Sequence, residues 1–515
     1  MVSQAEQDKH RQFYFRVLFA VLMLRIFLSA WAPMTDDEAY FILWGKHLSY
    51  GYYDHTPFIG WLLAAFLSIS DAAWWLRLPA VVLPLVLSYA IYRVLQSRLP
   101  QLAAWVALTF LVAPVNIINF LITTDTPLIF FSFVSAWFFY RALYESKSRI
   151  TGKEQPYRYF LIAGLFLGLA FFSKYFAVFL GLAYGIYIVL FYRNKRGFSG
   201  LGLILLMVLP FVAINLLWNY NHCWNNILFN LFNRTASPDN AFTSLYTYLG
   251  MLVYLFSPLL IYFVYKNRNT INEYVKNSFF RVYLWLAIFP LALFLFVLLK
   301  KEVGLHWVFS FYPFLFISVA GLLTVKQWRW TFHFMWLMSL LHVIGLISIL
   351  TLPVETFIGK KEAVQNLVFG KHTSEVLDQL KPYEKDYSFA TISYGLSSLA
   401  GYYSRRHFIV FDKGSFHARE DERLTDYKKL DGKNILIFKR TASNLDKLGR
   451  FFSKSERKTI EVRGATFELL LGQKFNYNLY REEVLKQINH DFYSIPSWLP
   501  VGQCGFKEKY GFTEK

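Results

Sequence analysis

The chain has 515 residues, of which 55% are hydrophobic, 20% aromatic and only 17% charged, a balance outside that of soluble globular domains and suited to a multi-span membrane protein. A formal net charge of +19 raises nucleic acid as a partner. The pattern excludes it, because the Lys and Arg sit in short runs between apolar segments, with no basic helix and no aromatic-basic interleaving.

In chain order, apolar runs of spanning length number about eleven, at residues 13–33, 76–95, 101–119, 127–144, 159–173, 175–191, 201–219, 245–265, 281–299, 305–325 and 331–351. The first is long enough to stay as a span, so no cleaved signal is needed. The positive-inside rule then orients them. With the N-terminus cytoplasmic, that side receives Arg11, Arg93, Arg98, Arg141, Arg193, Arg196, Lys266 and Arg329 among others, against only Lys46, Lys174, Arg234, Lys300 and Lys301 opposite. An odd number of spans places everything after about residue 352 outside, in the periplasm of a Gram-negative cell.

Between the first two spans, the run TPFIGWLLAAFLSI at 56–69 is too short to cross comfortably and reads as a helix lying along the membrane surface. Taken instead as a tilted span, it would invert every later loop and spoil the charge asymmetry. Beyond Pro353 the composition changes to mixed charge, with β-like runs at 387–393, 407–411, 434–439 and 466–472 and helical stretches at 361–381 and 480–490. The expected architecture is therefore mainly α: a polytopic membrane bundle over 1–351, then a small extracytoplasmic α/β domain over 352–515. No internal repeat is visible. Cys223 and Cys504 are too few and too far apart for a zinc site or a disulfide framework. Both fall on the expected oxidising side, which leaves open either a bridge or two unpaired thiols.

Five short stretches carry chemistry. In MTDDEAYF at 34–41, Thr35 and Glu38 match a capping box, and acids suit a first helical turn; that explains one acid better than three. In YYDHTPFIGW at 52–61, Asp54 and His55 precede the surface helix, whose start Pro57 can occupy. In TTDTPLIFF at 123–131, Asp125 or Thr126 can cap the span beginning at Pro127. Each local reading is sound, yet none predicts that all these acids fall on the one membrane face the basic residues avoid. The fourth stretch, LLKKEVGLHWVFSFYPFLF at 298–316, puts Lys300, Lys301, Glu302 and His306 on that same face, and FFSKYF at 171–176 adds Lys174. Snorkelling accounts for lysines at a span end; a cation pair holding a lipid phosphate accounts for them as well. Carboxylates and ammoniums together at headgroup depth suit sugar transfer from a lipid phosphate, with a carboxylate as general base and cations on the departing phosphate.

At these residues the chain resembles the integral-membrane GT-C glycosyltransferases, in particular the protein O-mannosyltransferase and aminoarabinose lipid A transferase superfamily. The likeness runs over about residues 10–325 through DDEAYF, YYDHTPFIGW, TTDTPLIFF, FFSKYF and KKEVGLHWVFSFYP. It implies Asp37 and Glu38 as the catalytic Asp-Glu pair of the first outer loop and Asp125 as the second-loop acid. Lys174, Lys300, Lys301 and His55 become donor phosphate contacts, and Asp54, Tyr175, His306 and Tyr312 substrate contacts. Two positions depart from the aminoarabinose pattern: Tyr40 stands where an Arg is usual and His55 where a Lys is usual. The resemblance further implies a polyprenyl-phosphate sugar donor, undecaprenyl in bacteria, and inverting transfer to lipid A, another envelope glycan or a protein. With a hydroxyl acceptor Asp37 is the base; with an ionised phosphate it orients the sugar. A divalent metal at Asp54, His55 and His306 is an additional reading. The rival from another class is a transporter or flippase of a lipid-linked saccharide, against which stands the lack of repeated halves.

Overall fold

The structure, a computed structural model, describes residues 4–145, 155–233, 241–298, 302–353, 361–414, 417–440, 445–500 and 502–512. Among these, seven helices are long and apolar enough to cross a membrane: Asp8–Trp31, Ala73–Gln96, Asp125–Tyr144, Pro156–Ser173, Lys195–Tyr220, Ser278–Val297 and Val325–Thr351. Helices Phe242–Phe256 and Pro258–Lys266 give an eighth candidate, bent by 83°. The bend falls where Ser257 takes a φ of 67° and Pro258 opens the second helix, since proline cannot donate to the preceding turn. The chain is a multi-pass, mainly helical membrane protein.

The other expected spans take different forms. Residues 101–119 split into Pro100–Leu111 and Pro114–Ile118, with Pro114 at the break. The 175–191 run is a helix of 15 residues, Ala177–Phe191, about 22 Å long against a hydrocarbon core of about 30 Å. Within 305–325 the α-helix covers only Tyr312–Val319, after a 3-10 turn at Leu305–Val308. Summed hydropathy does not register these interruptions, because a proline or a turn changes the backbone without changing the apolar total.

The segment between the first two spans folds as the motifs suggest. Thr35 caps helix Asp36–Lys46 in a full capping box with Glu38. Pro57 leads into helix Phe58–Leu67, too short to span. Gly60 is required there: a Cβ would lie 2.7 Å from the Tyr52 ring, which stacks on Trp44 at 4.6 Å.

The C-terminal domain carries one five-stranded sheet, with β1 Ser388–Thr391, β2 Ile409–Val410, β3 Ile435–Lys439, β4 Phe452–Val462 and β5 Ala465–Phe475. Their order is β2-β1-β3-β5-β4. β1 is parallel to β2 and β3, while β5 runs antiparallel to β3 and β4. Four of the five were expected. β4, FSKSERKTIEV, was not, because it is an edge strand with a mostly exposed, charged face. The domain has no separate base: Leu396, Leu399, Phe369 and Phe438 share a buried cluster with Tyr40, Phe41, Trp44 and Tyr52. A disulfide joins Cys223 to Cys504 across 281 residues of sequence, so of the two readings left open the bridge is the one observed.

Candidate active site

Helix Asp36–Lys46 sorts the three acids by the direction each faces. Glu38 turns inward and is fully buried, taking Arg77 Nε at 2.7 Å and Nη2 at 2.6 Å. The remaining Arg77 donors reach the carbonyls of Ser29, Ala32 and Pro33, each at 2.8 Å, so all five guanidinium N–H groups are used. Glu38 also accepts from the Ile122 amide at 3.1 Å. Asp36 faces Arg440 of the C-terminal domain at 3.3 Å. Asp37 is the exposed member and lines the largest cavity of the site, about 820 Å3.

A second buried arginine shapes the neighbouring turn. Arg25 Nε and Nη2 reach the carbonyls of Val81 and Ala80 at 2.9 and 2.7 Å, while Nη1 and Nη2 reach those of Asn116, Ile117 (3.1 Å) and Asn119 (3.0 Å). Those last carbonyls belong to the interrupted span, where the helix has stopped using them. The stretch so fixed carries Asn119, Thr123 and Thr124 into the cavity wall and delivers Asp125 at the start of the next helix. Lys174 ends helix Pro156–Ser173 in an extended conformation and meets Asp125 at 2.8 and 2.9 Å. Both side chains are under a tenth exposed, so this is a buried, mutually dependent pair.

The C-terminal domain closes the cavity. Asp54 accepts from Arg419 Nη1 at 2.7 Å and from the Tyr40 hydroxyl at 3.2 Å. Arg419 also lies over the Tyr394 ring at 3.7 Å, and Asn230 donates to the Asp54 carbonyl at 3.0 Å. Burial, followed by the nearby Asp54 charge, pushes the Tyr40 hydroxyl well above its ordinary value, so it stays protonated, donating to Asp54 and accepting from the Glu420 amide at 3.3 Å. One flank of the cavity is apolar, with Phe176, Phe179, Leu231, Phe296, Val297 and Trp307. Thr56 is buried in its wall, its hydroxyl without a hydrogen-bond partner among the described residues.

Of the residues singled out from sequence, Asp37, Asp54, His55, Asp125, Lys174, Tyr175 and His306 line this cavity together. Tyr175 also donates to Asn215 at 3.0 Å. His55 is half-buried against Phe41 and Trp44, with ring centroids 6.2 and 5.8 Å away. Two are not brought there. Glu38 is committed to Arg77, and Tyr312, one turn deeper, is buried with its hydroxyl on the Leu255 carbonyl at 2.8 Å. Lys300 and Lys301 lie outside the described residues. The metal reading is corrected: among the described residues no three His, Cys, Asp or Glu side chains group as ligands. Arg419, Tyr394, Asn230, Asn119 and Thr56 were missed. The first two come from the C-terminal domain, where nothing in one sequence indicates which charged turn folds back over the membrane domain.

This architecture is that of the GT-C glycosyltransferases. Crystal structures of ArnT from Cupriavidus metallidurans, one apo and one bound to undecaprenyl phosphate, match at a TM-score of 0.62, with 14% and 13% identity, over 89% of this chain and 98% of theirs. At that identity the likeness establishes the fold. Residues 54–218 match the family of dolichyl-phosphate-mannose-protein mannosyltransferases. Lipid A galacturonosyltransferase RgtD of Rhizobium johnstonii is 27% identical over 191 residues, which is 36% of this chain and 38% of that relative's length. The fold is thus of the ArnT type, and residues 54–218 are similar to the mannosyltransferase family.

Proposed function

We propose that this protein is an inverting glycosyltransferase of the bacterial inner membrane, moving a sugar from a polyprenyl phosphate to an acceptor at the periplasmic face, with the N-terminus cytoplasmic. The observation that carries this reading is the single cavity in which Asp37, the Asp125–Lys174 pair and the Asp54–Arg419 pair meet a wall of apolar side chains. A lipid-borne donor needs both halves: an apolar flank for the prenyl chain, and cations beside the phosphate. Lys174 shares its ammonium between Asp125 and the donor phosphate, neutralising charge as the glycosidic bond breaks. Asp54 and Thr56 bind sugar hydroxyls, His55, Tyr175 and His306 complete the wall, and Asp37 takes the proton of a hydroxyl acceptor. Glu38 acts by holding the helix that presents Asp37.

The likenesses to a lipid A galacturonosyltransferase and to a protein that binds undecaprenyl phosphate support a lipid-linked donor and a glycan acceptor. The test is Asp37→Asn in reconstituted protein given labelled undecaprenyl-phosphate sugars and an envelope extract. Transfer should fall by about 10²–10⁴-fold, the usual worth of a general base, with insertion into membranes unchanged. Full transfer by that variant removes the proposed base. A labelled sugar that crosses the bilayer without joining an acceptor would favour the transporter.

A further inference from the structure

A second space, about 520 Å3, lies between residues 33–37 and the C-terminal domain. Asp37 and Tyr394 line both it and the larger cavity. That sharing has a chemical meaning if the protein is the transferase proposed above, on which this inference rests. In a direct displacement the acceptor oxygen approaches the anomeric carbon opposite the leaving phosphate, so donor and acceptor come from two spaces that meet at the base. The larger cavity has the apolar flank that a lipid donor requires. The smaller is lined by Asp36, Arg440, Gly370 and Tyr394, with the part-exposed Tyr394 ring beside charges. Sugar rings are held that way, the C–H face on an aromatic ring and the hydroxyls on carboxylates.

We infer that this cleft is the acceptor site and that it takes a saccharide headgroup bearing an acidic group, which Arg440 reads. The Arg440–Asp36 contact is 3.3 Å long, with side-chain exposures of 27% and 35%. Charge-assisted bonds of full strength are about 2.7–2.9 Å, and a long, part-exposed pair contributes little. Exchanging Asp36 for an incoming phosphate or carboxylate is therefore inexpensive for Arg440, which also lies over Phe369 at 5.5 Å. Gly395 lets the domain come this close, since a Cβ there would sit 3.0 Å from that of Asp36. In the reaction the acceptor hydroxyl gives its proton to Asp37. Its oxygen bonds to the anomeric carbon, and the carbon–oxygen bond to phosphate breaks with its electron pair leaving on the polyprenyl phosphate.

Gly370 supplies the test. It lines the cleft, and a Cβ built on it meets nothing within 4 Å, so a larger side chain fills the cleft rather than the core. Full-length protein in nanodiscs is titrated with three probes: undecaprenyl phosphate, lipid A as a phosphorylated disaccharide, and glucosyl diacylglycerol as a neutral glycolipid. The unaltered protein and Gly370→Ala should bind the first two. Gly370→Trp should lose lipid A binding by tenfold or more while keeping undecaprenyl phosphate within twofold, which also shows that it is folded. Arg440→Gln should weaken lipid A about tenfold and leave the neutral glycolipid unchanged. Undiminished lipid A binding by Gly370→Trp overturns the cleft as acceptor site. Failure of the unaltered protein to prefer lipid A over the neutral glycolipid overturns the acidic class. If the unaltered protein does not bind undecaprenyl phosphate, it is the transferase reading that fails.

Discussion

At the scale of single residues, the adjacent acids Asp37 and Glu38 divide between chemistry and support. Glu38 belongs to a fully buried ion pair with Arg77, and breaking such a pair from one side costs about 3–5 kcal/mol because the other charge is left uncompensated. Glu38→Gln should therefore lower thermal stability strongly yet retain most transfer per folded molecule, whereas Asp37→Asn should do the reverse; melting and transfer measured on the same preparations separate the two. A Glu38→Gln variant that folds normally but is inactive would return Glu38 to the chemistry. Lys174 and Asp125 are the second buried pair. Lys174→Met should destabilise by a similar amount and abolish transfer. Adding Asp125→Asn removes the stranded charge, so the double variant should regain much of the stability and none of the transfer. Recovery of transfer along with stability would make the pair purely structural.

At the scale of elements, helix Asp36–Lys46 and the turn at 417–423 form the working joint between the two parts of the chain. The turn is held by buried polar groups: His417 Nε2 meets the Tyr53 hydroxyl at 2.6 Å, and the Tyr53 amide donates to Glu420 at 3.0 Å. Arg423 pairs with the other Glu420 oxygen. Burial pushes the Glu420 carboxyl from an ordinary 4.5 up to about 7, with Arg423 opposing. The unfolded chain releases that proton near pH 4.5 while the folded one holds it to about pH 7, so stability is fully present below the lower value and falls as pH rises through the window. The fall amounts to about 3 kcal/mol at most. Melting temperatures between pH 5 and 8 should decline for the native protein and much less for Glu420→Gln; parallel declines would place the titration elsewhere. Because Tyr53 adjoins Asp54, the same window should also affect donor affinity. This joint was only half legible in the sequence. The capping box and Pro57 announced the membrane side through local backbone chemistry. His417, Arg419 and Glu420 sit in a short charged turn that reads, without its partner, as solvated surface.

At the scale of the whole molecule, what could be read in advance was whatever depends on local composition: the membrane class and the α/β composition after Pro353. What could not was decided by breaks and by long-range closure. The split at Pro114, the bend at Ser257 and the charged edge strand β4 leave apolar totals unchanged or small, and the acids at 36–38 gave no sign of which would face Arg77. Long-range closure is most evident at the Cys223–Cys504 bridge, which pins the C-terminal tail to the loop after helix Lys195–Tyr220. Trp224 donates to the Pro500 carbonyl at 2.8 Å, and Phe506 stacks on Tyr493 at 4.3 Å. The same loop carries Asn226 and Asn230, whose amides bond the carbonyls of Tyr52 and Asp54 at 2.9 and 3.0 Å. A free chain closed over so long a loop would gain about 5 kcal/mol from the cross-link. Here the membrane helices already restrain much of that loop, so about 2–4 kcal/mol is the expected value. Cys504→Ser should thus lower stability by that amount, speed proteolysis of the tail and raise the donor KM through the loosened Asn230–Asp54 contact, with kcat less affected. A membrane-impermeant reductant should reproduce all three effects in the native protein, do nothing further to the variant, and act only from the side of the membrane on which the catalytic cavity opens. A reductant without effect on the native protein would mean that the bridge neither stabilises the closure nor transmits it to the site.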